Sequence, residues 1–434
     1  MRPATRASTR AALALLALAT GPLPAAAQIP PHARWQTLTT PHTRITFSPG
    51  LDSLAREAGR HAEHAYARLA AEFGPPPDGP IDILITDQTD LANAFATPFP
   101  SNRIVVFARP PLDDLALGYH ADWLELVIAH ELTHIFHLDR AGRWARAARK
   151  ILGRVPSAWP LFPAVGTPQW AIEGLATYFE SRLTGYGRTR GTYHEMLLRT
   201  AALEGRFDRI DQASGYGASW PSGQRWYAYG SLFFDHLARS HGPDVPRRVL
   251  ERTAGAVIPP SLAFDRIGRR ATGTSFSDAW DEWRNEMRRQ ARARADSLGT
   301  LTRPERLTRH GYFALYPRVG PDGRVAFAAS DGRDQTATRI LDPTTGEVSQ
   351  LARRNGLGVA DWLPDGSALV TAQLEYDGPY RIVSDLYRVD RDGREHRLTW
   401  GARLAQPDVD GALVGGASLD PVGFAAIVAA AEER

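Results

Sequence analysis

The sequence contains no cysteine among its 434 residues. This absence excludes a disulfide framework and any metal site that depends on thiolate ligands. It also predicts that the chain carries no bacterial lipid anchor, because such an anchor is attached to a cysteine that follows the signal peptide.

Long hydrophobic runs are also absent beyond the N-terminus, so no transmembrane helix is predicted. The N-terminus itself has the features of a secretory signal peptide over residues 1–27. Three arginines in the first ten residues supply the positive region, residues 11–19 supply the apolar core, and residues 24–27 supply a small-residue cleavage site. We therefore expect an exported protein, periplasmic or extracellular, in a bacterium.

Lysine is nearly absent, since all basic residues except Lys150 are arginines. This excess of arginine is typical of a GC-rich bacterial genome. The formal net charge of +3 is too small to indicate nucleic-acid binding, and no compact basic and aromatic patch accompanies it. The length of the chain predicts two domains.

The most informative motif is His130-Glu131-Leu132-Thr133-His134. Residues 122–129 before it predict the start of a buried helix. Because residues four apart lie on one face of a helix, His130 and His134 point the same way and can hold one zinc ion. Glu131 lies one position further round the helix and can reach a water on that ion.

A second motif lies downstream in residues 166–180. Thr167 is predicted to be an N-cap, with Pro168 at the first helical position, so a second helix is expected to begin there. Glu173 then lies about one turn into this helix. Gly174 removes a side chain at a point where we expect two helices to approach closely.

Together the two motifs resemble the gluzincin branch of zinc metallopeptidases, in which H-E-x-x-H is followed by W-x-x-E-G-x-A-x-Y. The matching residues of the second motif are Trp170, Glu173, Gly174, Ala176 and Tyr178. The resemblance covers about residues 35–295 and implies an α+β zincin-like metallopeptidase domain, with a small mixed sheet plus helices, over residues 28–299. The spacing between His134 and Glu173 is longer than usual, and we interpret residues 140–168 as an inserted loop or short extra helix.

The resemblance implies that Zn²⁺ is bound by His130, His134 and Glu173, with a fourth position open for water. Glu131 is implied as the general base that activates this water. Two other residues compete for the third ligand position. His137 would need a strained contact and is expected to pack or to support a ligand. Glu180 lies two turns beyond Glu173 and is expected to orient a ligand histidine.

Some gluzincins place a carboxylate that supports the histidines at the position held here by Thr177. A hydroxyl can do less, so we expect that support to come from elsewhere. The oxyanion stabiliser is expected in Tyr227-Ala228-Tyr229-Gly230. The Y-x-x-G arrangement of aminopeptidase-like gluzincins favours Tyr227 over Tyr229, although both residues could also be core aromatics.

Residues 102–108 predict a strand just before the first motif. In zincin folds the last strand before the zinc helix is commonly the sheet edge that pairs with an extended peptide substrate. The alternative is an internal strand that does not contact the ligand. The sequence leaves both open.

From about residue 300 the sequence changes to a repeating pattern. Pro-Asp-Gly stands at residues 321–323 and 364–366, and a related motif begins at Pro407, each 43 residues after the last. A period near 40 residues with four short strands is typical of a β-propeller, and the segment resembles TolB-like repeats. We expect residues 300–434 to form a partial propeller of two blades and the start of a third. The chain is then a truncated protein, or this part is an incomplete sheet with exposed edges.

These observations predict an exported zinc-dependent peptidase that acts on peptides or proteins. Aminopeptidase-like gluzincins carry a G-x-M-E-N motif, and none of Met1, Met196 and Met287 lies in such a context. An endopeptidase is therefore favoured. Two alternatives remain: a non-catalytic interaction protein that binds a protein partner through the propeller, and a metallohydrolase of a non-peptide amide.

Overall fold

The computed structural model describes residues 30, 32–74, 79–111, 116–215, 220–300, 302–309, 311–356 and 358–401. The signal peptide and the third repeat lie outside the described residues and stay predictions. Among the described residues, no helix combines the length and the apolar character needed to cross a bilayer.

The described chain consists of a mixed α and β part followed by an all-β part. The strands of the first part are β1 (Gln36–Thr39), β2 (Thr43–Phe47), β3 (Ile81–Thr86), β4 (Ala94–Thr97) and β5 (Arg103–Phe107). Its helices are α1 (Asp52–Phe73), α2 (Trp123–Leu138), α3 (Arg143–Leu152), α4 (Gln169–Thr184), α5 (Thr192–Leu203), α6 (Arg225–His241), α7 (Val245–Ala254), α8 (Phe264–Thr272) and α9 (Phe276–Ser297). The second part contains β6 (Phe313–Val319), β7 (Val325–Ser330), β8 (Ala337–Leu341), β9 (Val348–Arg353), β10 (Ala360–Trp362), β11 (Ala368–Tyr376), β12 (Ile382–Asp390) and β13 (Glu395–Arg397).

The first five strands form one mixed sheet in the order β1-β2-β3-β5-β4. β2, β3 and β5 are parallel, and β1 and β4 are antiparallel strands at the two edges. Ile45, Ile83 and Ile104 are neighbours in register and are at most 1% exposed, so this face of the sheet packs into the core. The strand predicted at residues 102–108 is therefore internal, and β4 is the edge strand nearest to it.

Helix α2 is almost wholly buried because it packs against α1, α4 and the sheet. Its N-terminus is capped by Asp122, whose Oδ1 accepts hydrogen bonds from the backbone N–H groups of Leu124 (2.8 Å) and Glu125 (3.1 Å). The first motif thus lies on a helix with little freedom to move. Its polar side chains are held in an apolar setting.

Helices α4 and α6 cross at two glycines. A Cβ atom added to Gly174 would lie 2.4 Å from the backbone of Gly230, and one added to Gly230 would lie 2.0 Å from the carbonyl oxygen of Trp170. Any side chain here would force the helices apart, which confirms the close approach predicted at Gly174. The start of α4 differs from the prediction by one residue. Pro168 takes the N-cap position, because the Thr167 hydroxyl donates to the Ala164 carbonyl (2.7 Å) in the preceding turn.

The insertion between the two motifs contains a short helix, α3, in agreement with one of the two predicted forms. Arg149 of α3 donates a hydrogen bond to Asp139 at the end of α2 (2.7 Å) and another to the Leu161 carbonyl (2.7 Å). Asp139 is fully buried, so this ion pair attaches the insertion firmly to the end of α2.

The all-β part contains two four-stranded antiparallel sheets, β6–β9 and β10–β13, each in chain order. The two Pro-Asp-Gly motifs form equivalent turns, in which Gly323 (φ 81°) and Gly366 (φ 70°) adopt the left-handed conformation that glycine favours. One of these turns joins β6 to β7 and the other joins β10 to β11, so each sheet contains one motif. Both sheets are open and the described residues do not form a ring of sheets, so the propeller is not confirmed.

Residues 302–309 join the two parts, and they have no regular secondary structure and are largely exposed. We expect trypsin to cleave first between Leu298 and Arg309, leaving a folded N-terminal fragment that begins near Gln28. The measurement is mass spectrometry of the fragments formed during limited proteolysis. A variant with Arg303, Arg306 and Arg309 changed to Gln should resist this first cleavage. First cleavage inside the mixed part, or a single cooperative unfolding transition without a sensitive junction, would contradict the division.

Candidate metal centre

The two histidines of the first motif face each other across one turn of α2. The Nε2 atoms of His130 and His134 are 3.1 Å apart, and both side chains are buried. Two ring nitrogens at this distance, both turned toward the same space, are arranged to share one cation. The helical spacing inferred from the sequence therefore produces the expected pair.

Glu173 of α4 completes a group of three ligand atoms. Its Oε2 lies 3.5 Å from Nε2 of His130 and 3.3 Å from Nε2 of His134. A tetrahedral zinc ion with bonds of 2.0–2.2 Å holds its ligand atoms roughly 3.3–3.5 Å apart, so the observed distances fit zinc. Burial acts to raise the pKa of Glu173, but the facing histidines hold it well below its usual value. Glu173 is therefore ionised and ready to bind a cation.

Glu131 lies beside this group and is 5% exposed. Among the described residues its Oε2 has no hydrogen-bond partner, although the side chain lines the open cleft. Burial raises the pKa of Glu131. A carboxylate with a raised pKa is a better proton acceptor, and this suits a general base.

Glu180 contacts His130, in agreement with the role predicted for it from its position two turns beyond Glu173. Its Oε2 lies 2.8 Å from Nδ1 of His130, on the side of the ring opposite the ligand nitrogen. A carboxylate at this position fixes the ring orientation and leaves Nε2 free for the metal. The Thr177 hydroxyl is fully buried and has no hydrogen-bond partner among the described residues, so it does not support the histidines.

Arg188 is a site residue that the sequence motifs did not indicate. It binds Glu180 through two side-chain contacts, Nε to Oε1 (2.9 Å) and Nη2 to Oε2 (2.6 Å). Its guanidinium also lies 4.5 Å from the centre of the Tyr227 ring. Burial acts to raise the pKa of Glu180, but Arg188 and His130 hold it well below its usual value. The sequence feature that could have indicated this contact is Gly187. Its φ of 90° in the structure allows the loop to approach α4 closely.

His137 does not join the metal group. It is 4% exposed, and burial lowers its pKa to about 3, so the imidazole is neutral. A second group of candidate ligand atoms is formed by Glu57, His61 and Asp122. Asp122 already caps α2 and lies 3.0 Å from Nε2 of His61, so this group has a structural explanation.

The two tyrosines of α6 lie in different environments. Tyr227 lines the cleft beside His130, and burial together with the Glu173 carboxylate raises its pKa to about 12. Tyr229 is 1% exposed within an aromatic cluster, and its hydroxyl accepts a hydrogen bond from the backbone N–H of Asp208 (2.9 Å). Of the two candidates, only Tyr227 can reach a molecule bound in the cleft.

The metal group lies at the base of a cleft of about 570 Å³. One wall is formed by residues 92–96, which include most of the edge strand β4. Residues of α4 and α6 also line the cleft, among them Ile172, Trp226 and Tyr227. The edge strand β4 and the candidate metal ligands therefore line the same cleft.

Comparison with known proteins gives distant likenesses. No family model matches the chain. An M1 zinc metallopeptidase from Deinococcus radiodurans is 16% identical with a TM-score of 0.31, and the match covers 63% of this chain and 54% of that one. Native yeast LTA4 hydrolase is 15% identical with a TM-score of 0.32, over 62% of this chain and 40% of that one. The chain thus spans about half the length of these proteins or less.

Two further matches are shorter. TolB from Acinetobacter baumannii is 27% identical with a TM-score of 0.17, over 20% of this chain and 21% of that one. A triosephosphate isomerase of Symbiobacterium thermophilum is 59% identical over 46 residues, which are 11% of this chain and 18% of the isomerase. A barrel of that class needs about 250 residues, so the segment implies no shared fold. At these levels the likenesses do not decide the function, which must be inferred from the geometry of the site.

Removing Glu173 should remove the metal. In Glu173→Ala we expect most of the zinc to be lost, because two histidines alone leave the ion without its only charged ligand. Glu180→Gln should keep zinc but bind it about 10–100-fold more weakly, since it alters the support of a ligand and not the ligand itself. Zinc per chain and affinity in competition with a chelator measure both effects.

The matched control for these variants is Glu195→Ala on α5, where an exposed carboxylate pairs with Arg199 at 2.7 Å. This variant should bind zinc like the unchanged protein. Full retention of zinc by Glu173→Ala would show that the ligand assignment is wrong.

Proposed function

We propose that this chain is a zinc-dependent peptidase. The observation that carries the proposal is the convergence of Nε2 of His130, Nε2 of His134 and Oε2 of Glu173 at distances of 3.1–3.5 Å, at the base of an open cleft. Glu131 lies beside these atoms, and its Oε2 has no hydrogen-bond partner among the described residues. This is the donor set and the neighbouring base that hydrolysis of an amide requires.

When bound to these residues, zinc would supply Lewis-acid chemistry, lowering the pKa of a bound water and polarising a carbonyl group. The protein supplies the proton transfers. Glu131 accepts the proton of the attacking water and passes it to the nitrogen of the leaving amine. Glu180 and Arg188 keep His130 in the orientation that leaves Nε2 facing the ion.

Tyr227 is suited to stabilise the oxyanion that forms on the attacked carbonyl. Its pKa of about 12 keeps the hydroxyl protonated at neutral pH, so the group can donate a hydrogen bond. Arg188 packs against the ring of Tyr227 and limits its movement. The same arginine thus orients both a metal ligand and the proposed oxyanion donor.

The shape of the cleft favours an extended peptide as substrate. Within the part of the chain that the structure describes, β4 pairs with β5 alone, and its other edge offers backbone groups to a peptide strand. Of the described residues lining the cleft, only Glu131, Glu173 and Glu180 carry a carboxylate, and each has a role already. None is left to bind a free α-amino group. We therefore propose an endopeptidase.

The proposed setting is the periplasm or the outside of a bacterial cell, on the basis of residues 1–27. A non-catalytic role, with the β-sheets as the working surface, would not require a base beside the metal group. The presence of Glu131 with a raised pKa favours catalysis over this alternative.

The test of the proposal is hydrolysis of casein by the purified protein. We expect activity that a chelator abolishes and added zinc restores. Glu131→Gln should bind zinc normally, because this residue contacts water and not the ion, while kcat falls by about 10²–10⁴-fold. Near-native activity of Glu131→Gln would contradict the general-base role.

Tyr227→Phe tests the oxyanion role. The lost hydroxyl should lower kcat by about 10²–10³-fold with little change in KM or zinc content, because the hydrogen bond forms only in the transition state. The matched control is Tyr229→Phe, which removes a buried hydroxyl from the same helix. We expect that control to lose about 1 kcal/mol of stability, measured by denaturant unfolding, and to keep kcat. Equal kinetic effects of the two variants would contradict the assignment.

A further inference from the structure

The all-β part is joined to the mixed part next to the cleft. Residues Gln88–Asp90, in the loop between β3 and β4, run parallel to the start of β12. The backbone N–H of Ile382 donates to the Gln88 carbonyl (2.9 Å), and the N–H of Asp90 donates to the Ile382 carbonyl (3.0 Å). The loop therefore acts as a short additional strand of the second β-sheet.

This pairing uses a strand edge that the second sheet leaves open. Among the described residues, β13 pairs only with Tyr387–Val389 of β12, and no other strand of the second sheet pairs with the first half of β12 on that side. Unpaired strand edges are unfavourable and tend to acquire a partner. Here residues 88–90 of the mixed part supply it.

The Asp90 side chain strengthens the contact. Its Oδ2 accepts a hydrogen bond from the backbone N–H of Ser384 (2.7 Å), and its Oδ1 lies 3.4 Å from Nε of Arg109. Its side chain is only 7% exposed. Charge-assisted hydrogen bonds of this kind are stronger than those between neutral groups. Asp90 thus connects β12, the loop and the segment that follows β5.

The loop continues directly into the wall of the cleft. Ala92 and Asn93 line the cleft, and β4 begins at Ala94, four residues after Asp90. A second contact is the hydrogen bond between the hydroxyls of Ser222 and Tyr312. Gly223, the next residue after Ser222, lines the cleft, as does Tyr227. The all-β part therefore contacts, at two places, segments that continue into the lining of the cleft.

We propose that the all-β part, residues 311–401, determines how the peptidase binds extended peptides, by holding β4 at a set position relative to the metal group. This inference rests on the proposed function. The metal ligands lie on α2 and α4, which the core of the mixed part holds independently. Loss of the contact at Asp90 should therefore change substrate binding and leave the metal group intact.

The first experiment compares Asp90→Ala with the unchanged protein on peptides of two lengths. For a peptide of about ten residues, KM should rise about tenfold, because removal of the carboxylate leaves the Ser384 N–H without its hydrogen bond, removes the ion pair with Arg109 and releases the start of β4. kcat, zinc affinity and hydrolysis of a short chromogenic substrate that does not reach β4 should stay unchanged. Asp281→Ala, an exposed position on α9, is the matched control.

Two further variants separate positioning from general loss of stability. Asp90→Asn keeps an oxygen for the Ser384 N–H and should restore part of the affinity for the long peptide. Tyr312→Phe removes the hydroxyl that forms a hydrogen bond with Ser222, next to the cleft residue Gly223, and should also raise KM for the long peptide, with normal folding. Unchanged KM in folded, zinc-bound Asp90→Ala and Tyr312→Phe would overturn the proposal, as would an equal loss on long and short substrates.

A binding measurement separates this inference from the proposed function. In the Glu131→Gln background, the Kd of a fluorescent ten-residue peptide should rise about tenfold when Asp90→Ala is added. That result would hold for the positioning role even if the chain cleaved no peptide. Equal Kd values with and without Asp90→Ala, or no peptide binding in either protein, would overturn the inference. Lack of cleavage by the unchanged protein would overturn only the proposed function.

Discussion

The contact between Gly174 and Gly230 is the constraint on which the candidate metal centre depends. Because neither residue has a side chain, α4 and α6 approach until their backbones touch. Glu173 directly precedes the first glycine, and Tyr227 lies one helical turn before the second. Their side chains therefore enter the cleft together, facing the histidines of α2. A methyl group at either glycine would displace the third ligand and the proposed oxyanion donor at once, without altering a polar atom.

Charge balance gives the same site a second constraint. Three carboxylates line the cleft, those of Glu131, Glu173 and Glu180, and among the described lining residues they face one guanidinium, that of Arg188. Buried carboxylates in such excess are unfavourable unless a cation joins them. Arg188 neutralises Glu180 directly, which leaves Glu173 and Glu131 beside the two histidines. A divalent cation held by His130, His134 and Glu173 would balance these two carboxylates, and the distances between the ligand atoms fit such an ion.

The local parts of the site could be predicted from the sequence because helical periodicity determines them. His130 and His134 share a face through their spacing alone, and Glu173 follows from the second motif. Arg188 could not be predicted in this way, because its contact with Glu180 depends on a loop that turns back at Gly187 with φ of 90°. The sequence left undecided which strand forms the edge of the sheet, for a related reason. Strand order depends on long-range pairing, and the short β4 gave too weak a pattern to place it outside β5.

The all-β part shows why a repeat pattern predicts units better than it predicts their assembly. The 43-residue period identified both sheets, since each Pro-Asp-Gly turn and its flanking strands are local features. What covers the open edge of the second sheet is not local. The structure supplies residues 88–90 of the mixed part, almost three hundred positions from Ile382 in the sequence. A strand edge that would otherwise favour association with another chain thus pairs with a segment of the same chain. That segment continues into residues 92–96, which line the cleft.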